Sequence, residues 1–280
     1  MRALSCCLLF MLSLSNAHAA ASEARLVQGA AWRATGAARQ PLAPGDSLAT
    51  GDTVITGPGA RVLLALAEGS LVKLGENAEL RLAELMPAPN PGGVFRGFLD
   101  VVKGAFRFTT TVVGQRRQVQ ARIGSATIGI RGTDVWGKRE DGRDFAVLLE
   151  GVVSIAREGV TVELSQPNSL YMAPRGAPAL PVAPVDPADL ARWAAETEPA
   201  PGAGRRADDG RYRLVWSLRE ADAARGLRDA LAAAGLASEL TSHGSGWRVT
   251  VRGLLEESDA QTLARQRPAG TAQPWIERLP

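Results

Sequence analysis

ATIGIRGTDVWGKRED, residues 126–141, is an apolar run broken by Gly129, Gly132 and Gly137 and carrying Asp134, Trp136 and a closing charge cluster. A glycine-rich loop that cradles phosphate needs its glycines between a strand and a helix, so that helix amides point at the anion. Here β-like residues lie on both sides, and neither G-x-G-x-x-G nor G-x-x-x-x-G-K-[ST] is present. Gly129 and Gly132 are therefore expected to permit a bulge or a close backbone approach. Asp134 is expected to stabilise a turn rather than to hold a ligand or ion. The stretch reads as sheet.

The surroundings agree. From Ala24 to about Met172, short runs alternate with period two between Gly/Asp/Asn turns such as Pro44-Gly45-Asp46 and Gly75-Glu76-Asn77. In Gln118 to Ile123, Val119, Ala121 and Ile123 face one side and Gln118, Gln120 and Arg122 the other. Ala78 to Leu82 and Val160 to Leu164 repeat the pattern. No proline falls between Pro91 and Pro167, which suits continuous ladders because proline cannot donate to one. The expectation is an all-β sandwich or roll of roughly ten strands over residues 20–172.

Residues 173–209 hold seven of the 17 prolines and many alanines, and read as an extended linker. Within it, Asp186-Pro187 followed by Leu190 and Trp193 predicts one short helix. Beyond residue 210 the period changes. A strand over Arg211–Ser217 precedes Ala224, Leu227, Leu231 and Ala234 at helical spacing, with Gly235 as the stop and Ser217/Glu220 as an S-x-x-E capping box. Strands over Leu236–Thr241 and Trp247–Arg252, a helix over Glu256–Gln266 and a strand over Gln273–Leu279 follow. The order is β-α-β-β-α-β, a split-βαβ α+β domain over residues 210–280.

Arg2, the apolar run Ala3–Leu14 and Ala17-His18-Ala19 read as a secretory signal over residues 1–19. The run is shorter than the about 20 residues that span a bilayer, so export to the periplasm without a membrane span is expected. Cys6 and Cys7 lie within it, and beyond it the one histidine is His243, in a Gly/Ser loop where it is expected to be solvated. No thiol then remains for a disulfide, a metal or nucleophilic catalysis, and no cofactor is implied. No serine sits in G-x-S-x-G. A glycosidase needs only two carboxylates, but no separate catalytic domain is visible, so a non-enzyme is expected. The net charge of +3 and pI of about 9.2 lack the dense Lys/Arg stripe of a nucleic-acid binder.

The β half resembles the FecR domain. Pro44-Gly45-Asp46-Ser47-Leu48, Thr50-Gly51-Asp52-Thr53-Val54, Leu66-Ala67-Glu68-Gly69-Ser70 and Lys73-Leu74-Gly75 carry the resemblance. Asn77-Ala78-Glu79-Leu80, Gly104-Ala105-Phe106, residues 126–134 and Leu148-Leu149-Glu150-Gly151-Val152-Val153 complete it. Its best-known members are transmembrane regulators that pass an outer-membrane transport signal to a sigma factor through a cytoplasmic helical region. The sequence shows neither that region nor a span, and so looks like a stand-alone secreted use of the domain.

Residues 210–280 resemble a SPOR domain through Tyr212-Arg213-Leu214, Trp216-Ser217-Leu218, Glu220-Ala221-Asp222-Ala223, Leu231 to Leu236 and Trp247 to Leu255. That resemblance implies binding to peptidoglycan glycan strands stripped of stem peptides, enriched at the division septum. Val215 and Leu218 stand where the family carries a polar and an aromatic residue. Strand alternation puts Leu214, Val249 and Val251 under the helices and Arg213, Val215, Ser217, Arg248, Thr250 and Arg252 on the open face. Those six are the expected glycan-binding residues, since guanidinium forks match carboxylates. Trp216 and Trp247 share the core parity and are expected to pack. The sequence thus points to a non-catalytic periplasmic protein that binds peptidoglycan through residues 210–280 and offers its β domain to a partner. The alternatives are an envelope signal-sensing or scaffold protein that binds proteins, and a weak wall hydrolase.

Overall fold

The structure, a computed structural model, describes residues 22–86, 93–111 and 116–280; the expected signal over residues 1–19 lies outside the described residues. Up to Pro174 the chain is strand after strand. The first eight are β1 (Ser22–Gln28), β2 (Ala31–Thr35), β3 (Ala38–Pro41), β4 (Ser47–Leu48), β5 (Thr53–Thr56), β6 (Arg61–Ala65), β7 (Leu71–Leu74) and β8 (Glu79–Met86). Then come β9 (Phe95–Thr109), β10 (Arg117–Ile123), β11 (Ala126–Glu140), β12 (Arg143–Arg157), β13 (Val160–Leu164) and β14 (Ser169–Pro174). They exceed the expected ten because rungs as short as Ser47–Leu48 carry no readable period.

Three strands decide the architecture. β9, β11 and β12 each run 15 residues, and each contains a positive-φ glycine: Gly104 at 82°, Gly132 at 66° and Gly151 at 86°. On one side of these glycines the three strands complete an arm ordered β3–β2–β5–β8–β9–β10–β11–β12–β13. On the other side they complete an arm ordered β4–β1–β6–β7–β9–β11–β12–β14. Glycine adopts φ > 0 without a Cβ penalty, so each strand bends there while its ladder continues. Both arms face one core, which takes Val54, Leu99, Val119 and Ile130 from the first and Val27, Leu64, Phe106 and Val135 from the second. The result is the expected all-β roll.

Residues 173–209 do not form a free tether. After β15 (Ala183–Pro184), helix α1 (Pro187–Thr197) starts at the expected Asp186, whose carboxylate accepts from the Ala188 amide at 2.8 Å. Alternation along β11 turns Val135 to the main core and Trp136 to the other face. There Trp136, Phe145, Val147 and Ala105 form a second core with Val185 from the linker. Trp193 of α1 stacks on Trp136 at 5.6 Å with an interplanar angle of 6°. Ion pairs flank the stack, Lys138 to Glu196 at 2.9 Å and Lys73 to Glu198 at 2.6 Å. Proline-rich composition explains why the segment adds little to the ladders, but not that its apolar residues find this face.

β16 (Arg205–Arg206) then pairs with β1 on one side and, through Arg206 opposite Leu254, with β19 (Gly246–Leu254) on the other. The Arg206 side chain is 1% exposed and its Nη2 donates to the Gly29 carbonyl at 3.2 Å. Burial pushes its pKa down to about 10. Ala31 N donates to Gly235 O at 3.2 Å and Trp32 Nε1 to Ala232 O at 3.3 Å. The two halves are joined by paired backbone and buried side chains, which replaces the expected spacer with a joint.

Residues 212–278 run β17 (Tyr212–Leu218), α2 (Ala221–Ala233), β18 (Glu239–His243), β19, α3 (Glu257–Arg265) and β20 (Trp275–Arg278). Leu214, Trp216, Val249 and Val251 pack with Leu227 and Leu231 of α2 and Leu263 of α3. The capping box is not formed. Ser217 lies in β17, the N-cap is Glu220, and no side chain caps the helix, because α2 begins too late for Ser217 to reach its amides.

Candidate functional site

The outer face of the first arm carries a trough. Val119, Ala121, Ile128 and Ile130 point into the core, so their neighbours along β10 and β11 point out. β10 lies between β9, to which it is parallel, and β11, to which it is antiparallel. One row across the strands therefore reads Met86, Arg96, Gln118, Arg131, Val152, with Gln118 one step beyond the Val119–Ile130 pair. The next reads Glu84, Phe98, Gln120, Gly129, Ser154. Gly129 has no side chain to fill its place, and a Cβ there would stand 2.6 Å from Ser154 Oγ. The hollow has a volume of about 1070 Å³.

Its charges are unevenly committed. Among the described residues Arg96, Arg116 and Arg131 form no ion pair; Arg96 Nε only reaches Gln118 Oε1 at 3.4 Å. At the bend end, Arg107 donates to both carboxylate oxygens of Asp134, at 2.9 and 2.7 Å. That hydrogen bond is the main cause holding the Arg107 guanidinium above its ordinary pKa. Arg107 Nη1 also reaches Glu198 Oε1 at 2.9 Å. Asp134 thus serves a cross-strand pair between β9 and β11, not the expected turn, because the strand continues past Gly132. Thr133, 2% exposed, lines the same end with a hydroxyl that has no partner.

The opening glycines have separate tasks. Gly132, with open space around it, bends β11, whereas Gly129 keeps extended backbone and forms the trough floor. Period-two alternation signalled the outward residues. Their assembly into rows depends on register between strands, which a single sequence does not print.

The six expected glycan-binding residues do share one sheet face, since β17 pairs with β19 as Val215 opposite Thr250 and Ser217 opposite Arg248. Their availability differs. Arg213 is bound through Nε and Nη2 to Glu277 at 3.0 and 2.9 Å, and Arg252 Nε meets Glu239 at 2.9 Å. Val215 is 1% and Thr250 7% exposed. Arg248 is half-buried with its Nε unpartnered, and Ser217 is exposed. The same face carries Trp275, opposite Val215 and 43% exposed, which the sequence reading did not single out. Trp216 and Trp247 pack with the core as expected, and Trp216 Nε1 donates to Ala272 O at 2.8 Å. His243 is exposed at the end of β18. Among the described residues no group of His, Cys, Asp and Glu is placed to hold a metal, and no helix is long and apolar enough to cross a membrane.

The chain carries a FecR domain: residues 52–154 match the family described as FecR protein. The match leaves residues 210–280 outside it. No curated protein sequence matches the chain. Two crystal structures, each described as a "putative anti-sigma factor" from Parabacteroides distasonis ATCC 8503, are similar to it. One, at 2.50 Å resolution, is 16% identical over 51% of this chain and 63% of its own, with a TM-score of 0.42. The other, at 1.65 Å, is 13% identical over 69% of this chain and 95% of its own, with a TM-score of 0.40. The chain thus spans less than two thirds of the first of these.

Proposed function

We propose that this chain is an exported, non-catalytic envelope protein that senses or scaffolds by docking a protein partner on the trough of its FecR domain. One observation carries this: the trough residues, from Glu84 to Ser154, all fall inside the 52–154 match. Export rests on the signal read at residues 1–19. The resemblance to FecR regulators, which work by passing signals between proteins, favours a protein over a small ligand. The open hollow, lined by polar and apolar surface in about equal measure, suits a segment of chain laid across it.

A second reading keeps peptidoglycan as a further ligand of residues 210–280, a SPOR-like domain on this reading. Trp275 favours it, because an exposed indole on the sheet face that also carries Arg248 and Ser217 offers a stacking surface with polar groups along the same face. One experiment weighs both. Full-length protein is used as bait against envelope extract and against purified sacculi. Gln120→Trp, which drops a large ring over Gly129, is expected to abolish retention of protein prey and leave sacculus binding unchanged. Trp275→Ala is expected to do the reverse. Equal retention of protein prey by wild type and Gln120→Trp rejects the trough, and sacculus binding indifferent to Trp275→Ala rejects the second reading.

A further inference from the structure

We infer that the Arg96–Gln118–Arg131 row of the trough is a docking site for an extended acidic peptide segment. The inference rests on the proposed protein partner and names the chemistry of the segment that partner would present. Arg96 and Arg131 point outward from strands on either side of β10 and form no ion pair among the described residues. Both guanidiniums are exposed, and one left without an acid is matched by a carboxylate, which its planar fork binds through two hydrogen bonds. Gln118 stands between them, with a donor and an acceptor for a peptide group passing over it. Met86 and Val152 end the row, 49% and 41% exposed, and offer apolar contact at its two limits.

The spacing narrows the occupant. Two strand separations put Arg96 and Arg131 about 10 Å apart. An extended chain in the polyproline II conformation advances about 9 Å in three residues and returns its side chains to the same side. Acidic residues three apart therefore reach both arginines. Glu84 and Glu150 stand on the flanking strands β8 and β12. They disfavour a uniformly acidic segment, so the carboxylates belong at the arginine positions alone. A sugar polymer fits less well. Phe98 is the aromatic lining residue among those described, and the Arg122 guanidinium already lies over its ring at 5.6 Å.

The test uses the full chain and a fluorescein-labelled peptide of about nine Pro and Ser residues with glutamate at every third position. Fluorescence anisotropy is expected to show binding that weakens about tenfold or more when the glutamates become glutamines. A similar loss is expected with Arg96→Gln/Arg131→Gln, whose melting curve should match wild type because both side chains are at the surface. Equal binding of the glutamate and glutamine peptides, or binding of neither, overturns the inference without any variant. So does an N-acetylglucosamine–N-acetylmuramic acid oligomer that binds wild type, is lost in the double variant and outcompetes the peptide. If the peptide fails while Gln120→Trp still abolishes capture of a protein, the acidic chemistry falls and the proposed function stands. If both fail, the trough is not a protein site.

Discussion

Trp136→Ala is expected to lower stability by about 3–5 kcal/mol, the range for truncating a buried tryptophan. Trp136 is 1% exposed and its ring lies 5.6 Å from both Phe145 and Trp193. Removing the indole deletes the floor on which α1 rests and leaves a cavity that Ala105 and Val147 are too small to fill. The melting temperature should fall by roughly 10 °C, at about 2–4 °C per kcal/mol for a chain of this size. Because α1 is held by this stack and by surface ion pairs that each contribute little, the variant should also expose the helix to protease. Cleavage between residues 175 and 198 under native conditions is the readout. Trp193→Ala should give the same cleavage with a smaller thermal loss, since Trp193 is only half-buried. Unchanged melting and protection in Trp136→Ala would mean that the aromatic stack does not hold the helix.

Gly151→Val is the second large effect, with an expected cost of about 3 kcal/mol or more. At φ 86° an L-residue is strained, by roughly 1–2 kcal/mol. A Cβ there would also stand 2.5 Å from the Gly132 carbonyl oxygen and 2.8 Å from Thr133 Cγ2, and relieving such overlap costs about 1–3 kcal/mol. Gly132→Ala provides the contrast. Its φ of 66° carries the strain, but nothing lies within 4 Å of the added carbon, so its cost should stay at about 1–2 kcal/mol. Chemical denaturation of the two variants separates the terms. Equal losses would show that the bends of β11 and β12 are not packed against each other as described.

How much of this was legible depends on the range of the interaction that set each feature. Alternation in Gln118–Ile123 is a local consequence of the pleat, so the inward set Val119, Ala121 and Ile123 was readable and is buried. The glycines at 129 and 132 were readable as a bulge or close approach, but which did which depends on Ser154 of β12 and on Thr110, just past the end of β9. Asp134 was misjudged for the same reason, since its partner Arg107 is 27 residues away. The linker failed differently. Proline and alanine content describes ladder capacity, whereas the docking of Trp193 depends on an aromatic face that β11 and β12 build together. The Ser217/Glu220 motif matched locally and was overruled by β17, whose pairing with β19 extends to Leu218. The trough rows and the facing of Trp275 needed strand registers.

The most direct measurement of the trough's role is site-specific photo-crosslinking in intact cells. A photoreactive amino acid is placed at Gln118, between Arg96 and Arg131, or at Ala223, exposed on α2. A discrete protein adduct at Gln118, absent at Ala223 and absent when Arg96 and Arg131 are both glutamine, is the expected result. No protein adduct at Gln118, or the same adducts from both positions, would contradict a partner seated on the FecR domain's outer face.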